Sequence, residues 1–215
     1  MGVYLGVASN VMTPLPTEDI IKFLRTNIEP SSDSIYGDGY RVSVTLTDGL
    51  QLPCVLFRSS SKLIDLAVRR FKEEQSGKSI FSKSSGLGYR DIVKTFVANG
   101  NCINHYDIAK VDKSDFAFPL QTLRQIRGET KMGWTGFIAK MKDGKQFAFG
   151  TSFLFDFFDL PKGYLPTDIV EIINHSYLDK DGNLKSYHDP KVYEEFDRSL
   201  VYRERPYFEC YLDNL

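Results

Sequence analysis

The sequence contains few of the features that identify a class of protein. Its 215 residues include three cysteines, three histidines and one tryptophan, and the formal net charge is −1. The cysteines, Cys54, Cys102 and Cys210, lie far apart, with no Cys-x-x-Cys pair and no Cys/His cluster. We therefore expect neither a zinc site nor a disulfide scaffold, and a reducing cytoplasm fits best. The balanced charge provides no field that would attract nucleic acid or an anionic membrane.

Targeting and catalytic signatures are also missing. The first residues lack a basic region and a long apolar run, so they do not resemble a signal peptide. The Phe-rich run near 153–158 is interrupted by Asp156 and is too short to cross a bilayer. No Gly-x-Ser-x-Gly, His-Glu-x-x-His, Rossmann or kinase pattern occurs. We expect a cytoplasmic protein with no membrane segment and no cofactor, and the sequence names no specific activity.

Residues 76–88 are the one low-complexity stretch, rich in Ser, Gly and Lys, and they predict a loop or a domain junction. The stretch contains Gly77-Lys78-Ser79, which occurs in phosphate-binding loops. Such a loop would need a glycine at position 72, which is Lys72, and it should follow a strand rather than a helix. Nucleotide binding is therefore not expected here.

The chain is most apolar at residues 132–160, which hold the only Trp and the densest run of Phe. Asp143-Gly144 separates two β-prone runs, which is a strong hairpin signal. Counting outward from this pair predicts that Ile138 faces Phe149 and that Trp134 faces Phe153. Both faces of the hairpin are apolar, so we expect its rings to form core inside a sheet rather than a binding platform. Small-ligand binding against the Trp is a further hypothesis.

A second pair, Asp48-Gly49, predicts another hairpin. Counting outward places Tyr40 opposite Phe57 and Val42 opposite Val55. One face is apolar and the other mostly hydroxylic, so this hairpin should be covered on one side only. Pro53 cannot donate to a β-ladder, which predicts that its strand is an edge.

Helical periodicity and capping residues define the remaining elements. Helices are predicted from Thr17 as the cap to near Asn27, from Ser60 or Ser61 to Gly77, from Pro119 to Arg127, after a Thr167 cap, and from Asp189. Further strands are predicted at about 91–98, 102–109 and 207–212. In the second helix, one buried face should hold Leu63, Ile64, Ala67, Val68 and Phe71.

In the predicted order of elements along the chain, the strands come in hairpins and do not alternate with helices as in βαβ units. The sequence therefore predicts an α+β fold, with a mainly antiparallel sheet built from Asp-Gly hairpins and with helices packed on it. At this length, residues 1–215 are interpreted as a single domain, with a possible subdivision near 76–88.

Reactive residue types come closest together at Cys102, His105 and Asp107. On a strand, His105 and Asp107 would share a face that Cys102 does not, so the three cannot form a local nucleophile–base pair. Asp115 with Glu129-Thr130-Lys131 has the residue order of a metal-dependent nuclease core, but no apolar strand surrounds Glu129. A set of arginines, Arg198, Arg203 and Arg205, lies among acidic residues and predicts a salt-linked surface.

Two hypotheses of different classes follow from these observations. The leading one is a non-enzymatic cytosolic protein-binding domain of an adaptor, regulatory or toxin-neutralising type, such as a small bacterial partner protein. The alternative is a metal-dependent hydrolase or nuclease whose site assembles from distant residues and includes His105, Asp107 or Glu129. It requires a deep pocket that holds at least two of these residues.

Overall fold

The computed structural model describes residues 11–33, 36–76, 100–130, 132–152, 154–174 and 201–215. The chain divides into two compact units, of which the first is Met1–Lys113 with Tyr207–Leu215 and the second is Ser114–Pro206. Each unit has its own sheet, so the predicted α+β class is confirmed. Whether the two units act as one domain stays a prediction. The strand predicted at 91–98 and the helix predicted from Asp189 lie outside the described residues.

The first unit is built on a five-stranded sheet. Its strands are β1 (Ser31–Asp33), β2 (Gly37–Leu46), β3 (Gln51–Ser59), β4 (Ile108–Lys113) and β9 (Phe208–Leu212). The order is β1-β2-β3-β9, with β4 also paired to β2, and only the β3–β9 pair is parallel. Helices α1 (Thr17–Asn27) and α2 (Ser60–Gln75) and the 3-10 helix His105–Asp107 complete the described part of this unit.

Both faces of the first sheet are buried. On one face, Ile20 and Leu24 of α1 are fully buried in the same core cluster as Val42. On the other face, Leu56 is fully buried and Arg41 is 5% exposed. The prediction that this hairpin is covered on one side only is therefore wrong. The sequence pattern missed the cover because the second face acquires it from α2, whose buried leucines pack with Tyr36 and Tyr211.

Register in the β2–β3 hairpin agrees with the sequence prediction, since Tyr40 faces Phe57 and Val42 faces Val55. Closer to the turn, the register shifts between Val42 and Val44, and Pro53 belongs to the two-residue segment of β3 that faces the single Ser43. A bulge tolerates proline because it frees a residue from the ladder. The edge-strand prediction is wrong, since β3 pairs with both β2 and β9.

The second unit has a four-stranded sheet of order β7-β5-β6-β8. Its strands are β5 (Thr135–Met141), β6 (Gln146–Thr151), β7 (Ile169–Asn174) and β8 (Val201–Arg203), with α3 (Leu120–Leu123) and a 3-10 helix, Pro166–Asp168, beside them. Its core is aromatic, because Phe118, Phe137, Phe149 and Phe158 pack edge-to-face or stacked on one side of the sheet. The opposite side is also closed, with Ile138 only 6% exposed, as expected for an internal hairpin.

Register in the β5–β6 hairpin differs from the prediction by one residue. Phe137, and not Ile138, faces Phe149, and the two rings stack with centroids 5.4 Å apart. The physical reason lies in the turn, where the Gly144 N–H donates to the Met141 carbonyl and only Gly144 has a positive φ, +85°. The loop therefore has three residues, with glycine in the bulge position, instead of the two-residue loop that the counting assumed.

Three further elements correct the sequence prediction. The residues after Thr167 form strand β7 and not a helix, because they pair along β5. The helix predicted from Pro119 to Arg127 is α3 alone, and Thr17 is the first helical residue instead of the cap, a place held by Pro16. Within the described ranges, no helix combines the length and the apolar character needed to cross a membrane.

Candidate functional site

The segment with the most reactive residue types is not a strand. Cys102 makes one isolated bridge to Glu209, residues His105–Asp107 form a 3-10 helix, and β4 begins only at Ile108. The Asn104 side chain caps this helix by accepting from the Tyr106 N–H at 3.2 Å. The prediction of a strand at 102–109 is therefore wrong, because a local side-chain cap competes with an extended backbone.

Cys102 is a poor nucleophile in this setting. Its side chain lies at the surface, yet partial burial, followed by the charge of Glu209, raises the pKa of the Cys102 thiol above its ordinary value. A raised pKa lowers the thiolate fraction at neutral pH, and the thiolate is the reactive form.

His105 lines a surface groove of about 710 Å³ in the first unit. The centroid of its ring lies 4.0 Å from the ring centroid of Tyr106, and the Tyr106 side chain is 66% exposed. The other walls are one face of α1 and the C-terminal turn, which the Arg25 guanidinium joins by donating to the Asn214 carbonyl at 2.8 Å. The groove thus contains one of the three residues that the enzyme hypothesis named.

The other two residues of that hypothesis lie elsewhere. Asp107 is exposed at the end of the 3-10 helix and does not line the groove, and Glu129 belongs to the second unit, between α3 and β5. Among the side chains that the structure describes, no group of three or more His, Cys, Asp and Glu could hold a metal ion. A hydrolase or nuclease activity stays a prediction.

Trp134 is half-buried, and its indole ring has two close neighbours. It packs so closely on Gly150 that a Cβ built there would lie 2.1 Å from the Trp134 Cζ2 atom. The Arg203 guanidinium lies over the ring, 4.3 Å from its centroid, and donates two hydrogen bonds of 3.2 Å to Glu204. A flat ligand that stacked at this position would have to displace Arg203.

The arginines near the C-terminus are engaged in ion pairs. Arg203 pairs with Glu204, and Arg205 pairs with Asp159 at 2.5 Å while its guanidinium lies 4.0 Å from the Phe116 ring centroid. The salt-linked surface that the sequence predicts is thus present for these two residues, while Arg198 lies outside the described residues.

Helix α2 presents the largest departure from the expected burial. Leu63 and Leu66 are 8% and 3% exposed, whereas Ile64 is 58% exposed and Val68 and Phe71 are each 45% exposed. The helical spacing in the sequence predicts that Ile64, Val68 and Phe71 lie on the same buried face as Leu63, and that prediction is wrong. The spacing of Ile64, Val68 and Phe71 by four and three residues places them in one apolar stripe on the outward side of the helix. We call these three residues the α2 stripe.

Charged residues border the α2 stripe on one side. Asp65, Arg69 and Lys72 line a groove of about 540 Å³ together with Val68. In the described part of the chain, neither Asp65 nor Lys72 has an ion-pair partner within 4.0 Å. An exposed apolar stripe with a charged border is the usual composition of a protein-binding surface.

Comparison with protein-family models, with curated proteins and with solved structures finds no match for this chain. The α2 stripe is therefore identified by its geometry alone. A second apolar period in the α2 sequence, offset from Leu63 and Leu66, was the signal that could have revealed it.

Proposed function

We propose that this chain is a non-enzymatic protein-binding domain, of an adaptor, regulatory or toxin-neutralising type, and that it binds through the outward face of α2. The observation that carries the proposal is the exposure of Ile64 and Val68 on a helix that already buries Leu63 and Leu66 in its own unit. The fold does not require two apolar sides on one surface helix, since one stripe is sufficient to attach it.

The free energy available from burying Ile64 and Val68 supports a role in binding. Burying a Val or Ile side chain that is otherwise exposed contributes about 1.5–3 kcal/mol. Since Ile64 is 58% and Val68 45% exposed, burying the rest of both could supply about 1.5–3 kcal/mol in total, although ordering and lost mobility offset part of it. Charged residues border these two side chains on one side, as polar residues border the apolar centre of an interface.

We also propose a cytoplasmic location for the chain and a protein as its partner. None of the three cysteines is in a disulfide, which is consistent with a reducing, cytoplasmic location. The net charge of −1 gives no general attraction to nucleic acid, so the partner we propose is a protein, as for a small bacterial regulatory subunit.

Purification of the tagged full-length chain from its native host tests the proposal. We expect a stoichiometric protein partner with the wild-type chain and its loss with Val68→Glu, because a carboxylate would be desolvated at the centre of the interface. Repeated recovery without a partner under gentle lysis would refute the proposal.

Val170→Glu is the matched control. Val170 is 54% exposed on β7 of the second unit, so the substitution is the same and the starting exposure is similar. The partner should remain bound to this variant. If Val170→Glu releases the partner and Val68→Glu retains it, the binding surface has been placed on the wrong element.

A further inference from the structure

We propose that the occupant of the α2 stripe is a second copy of this chain, with two α2 helices packed antiparallel across a two-fold axis at Val68. This inference rests on the proposed function, because it uses the same surface and names its partner. Its basis is a pattern in the exposed residues of α2 that matches itself when the helix direction is reversed.

The apolar part of the pattern is symmetric about Val68. Ile64 lies one turn before Val68, and Phe71 lies one turn after it. In an antiparallel pair that crosses at Val68, the two valines meet each other and Ile64 of each copy meets Phe71 of the other. A closed dimer requires a patch that is complementary to itself in this way.

Two of the three border charges, Asp65 and Lys72, are symmetric in the same sense, whereas Arg69 has no symmetric partner of opposite charge. Asp65 precedes Val68 by three residues and Lys72 follows it by four, so their distances from the axis differ by about 1.5 Å along the helix. Because they are seven residues apart, both lie on the same side of the α2 stripe. The antiparallel pair therefore places Asp65 of each copy opposite Lys72 of the other, and these two residues lack an ion-pair partner in the described part of the unit.

The charges also select the direction of packing. A parallel two-fold pair would place the charged side of each stripe against the apolar side of the other, so Asp65 and Lys72 would gain no partner of opposite charge. The antiparallel arrangement brings the two charged sides together and gives both residues such a partner. One helix face supplies far fewer than the roughly 20–30 residues per side of a standard interface, so the dimer should be weak, with a Kd on the order of 100 µM.

Charge reversal provides a test that distinguishes this two-fold packing from non-specific hydrophobic association. The full-length variants Asp65→Lys and Lys72→Asp each replace two attractive contacts by repulsive ones, and each should weaken self-association about tenfold. An equimolar mixture of the two variants restores both attractions in a heterodimer. Sedimentation velocity at about 10–500 µM should therefore show wild-type dimer, clearly less dimer in either variant alone at equal concentration, and the wild-type level again in the mixture.

Matched controls come from exposed charges of the second unit. Asp115→Lys and Lys162→Asp make the same charge reversals outside α2, and both should dimerise like the wild-type chain. Circular dichroism of every variant checks that the fold is retained. Val68→Glu provides an independent variant and should be monomeric across the concentration range.

The outcomes separate this inference from the proposed function. A wild-type chain that stays monomeric at every concentration, or a mixture that fails to restore the dimer, overturns the two-fold packing. If Val68→Glu nevertheless releases a host partner, the proposed function stands with a different occupant. If the wild-type chain dimerises and the mixture restores association while no host partner is found, self-association stands and the adaptor role fails.

Discussion

Replacing Gly150 with alanine should destabilise the second unit, because this glycine provides the space for the only tryptophan. An ideal Cβ at position 150 would lie 2.1 Å from Trp134 Cζ2 and 2.8 Å from both Cε2 and Cη2. All three distances are well inside van der Waals contact. Movement of the indole is further restricted by the Arg203 guanidinium, which lies 4.3 Å from the ring centroid and is ion-paired with Glu204.

The expected magnitude follows from two opposing effects. Adding a methyl group to a closely packed site costs about 1–3 kcal/mol. Alanine in a strand is favoured over glycine by about 0.5–1 kcal/mol, since glycine loses more backbone freedom on folding. The net loss in the free energy of unfolding should be about 1–2 kcal/mol, which corresponds to a fall in Tm of about 2–8 °C for a chain of this length.

Thermal unfolding followed by tryptophan fluorescence measures this effect directly, since Trp134 is the only tryptophan. Gly100→Ala is the control, because a Cβ at position 100 meets nothing within 4 Å and should leave Tm unchanged or slightly higher. In a Trp134→Ala background, where circular dichroism follows unfolding because no tryptophan remains, Gly150→Ala should lose its cost, as a double-mutant cycle would show. A Gly150→Ala variant with wild-type Tm and wild-type emission would refute the packing argument.

Three further predictions concern stability and thiol reactivity. Phe137→Ala should lower the free energy of unfolding by about 3–5 kcal/mol in chemical denaturation, because the fully buried ring contacts three other Phe rings. Hydrogen bonds from the Leu165 N–H and, to a smaller extent, from Lys142 lower the pKa of Asp168 below its ordinary value of 3.8. The stability that the ionised Asp168 gives to the fold should therefore be lost as the pH falls from about 4 through the lower folded-state pKa. An Asp168→Asn variant should lack this part of the acid unfolding transition. Burial raises the pKa of Cys210 to about 12, so a thiol reagent at pH 8 should label this residue only after unfolding; labelling at the same rate in the native protein would contradict this.

The two hairpins show how well counting residues outward from an Asp-Gly pair predicts which residues of the two strands face each other. Both turns place only the glycine at positive φ, with Gly49 at +90° and Gly144 at +85°, and both have a hydrogen bond from the glycine N–H to the residue three before it. Each loop is therefore one residue longer than the counting assumed. In the first hairpin the bulge at Pro53 cancels this shift, so the predicted pairs are correct. The second hairpin has no register shift between β5 and β6, so the predicted pair of Ile138 with Phe149 is wrong. Phe153, the residue predicted to face Trp134, lies outside the described residues.

Periodicity alone could not assign β7 or the faces of α2. Ile169, Val170, Ile172 and Ile173 fit a helical stripe, but β-branched residues also suit a strand, and the available partner β5 decides between the two. In α2, apolar residues occupy two stripes, and sequence spacing cannot say which of them is buried. Tyr36 and Tyr211, which are distant from α2 in the sequence, select Leu63 and Leu66.

That selection is also why the proposed binding surface can be tested cleanly. Because Leu63 and Leu66 attach α2 to its unit, a polar substitution at the 45% exposed Val68 removes little buried area and should alter stability by roughly 0.5 kcal/mol or less. Loss of binding in Val68→Glu would therefore reflect the surface and not an unfolded chain. The same substitution at Leu66 would bury a charge, and its effect on binding could not be separated from its effect on folding.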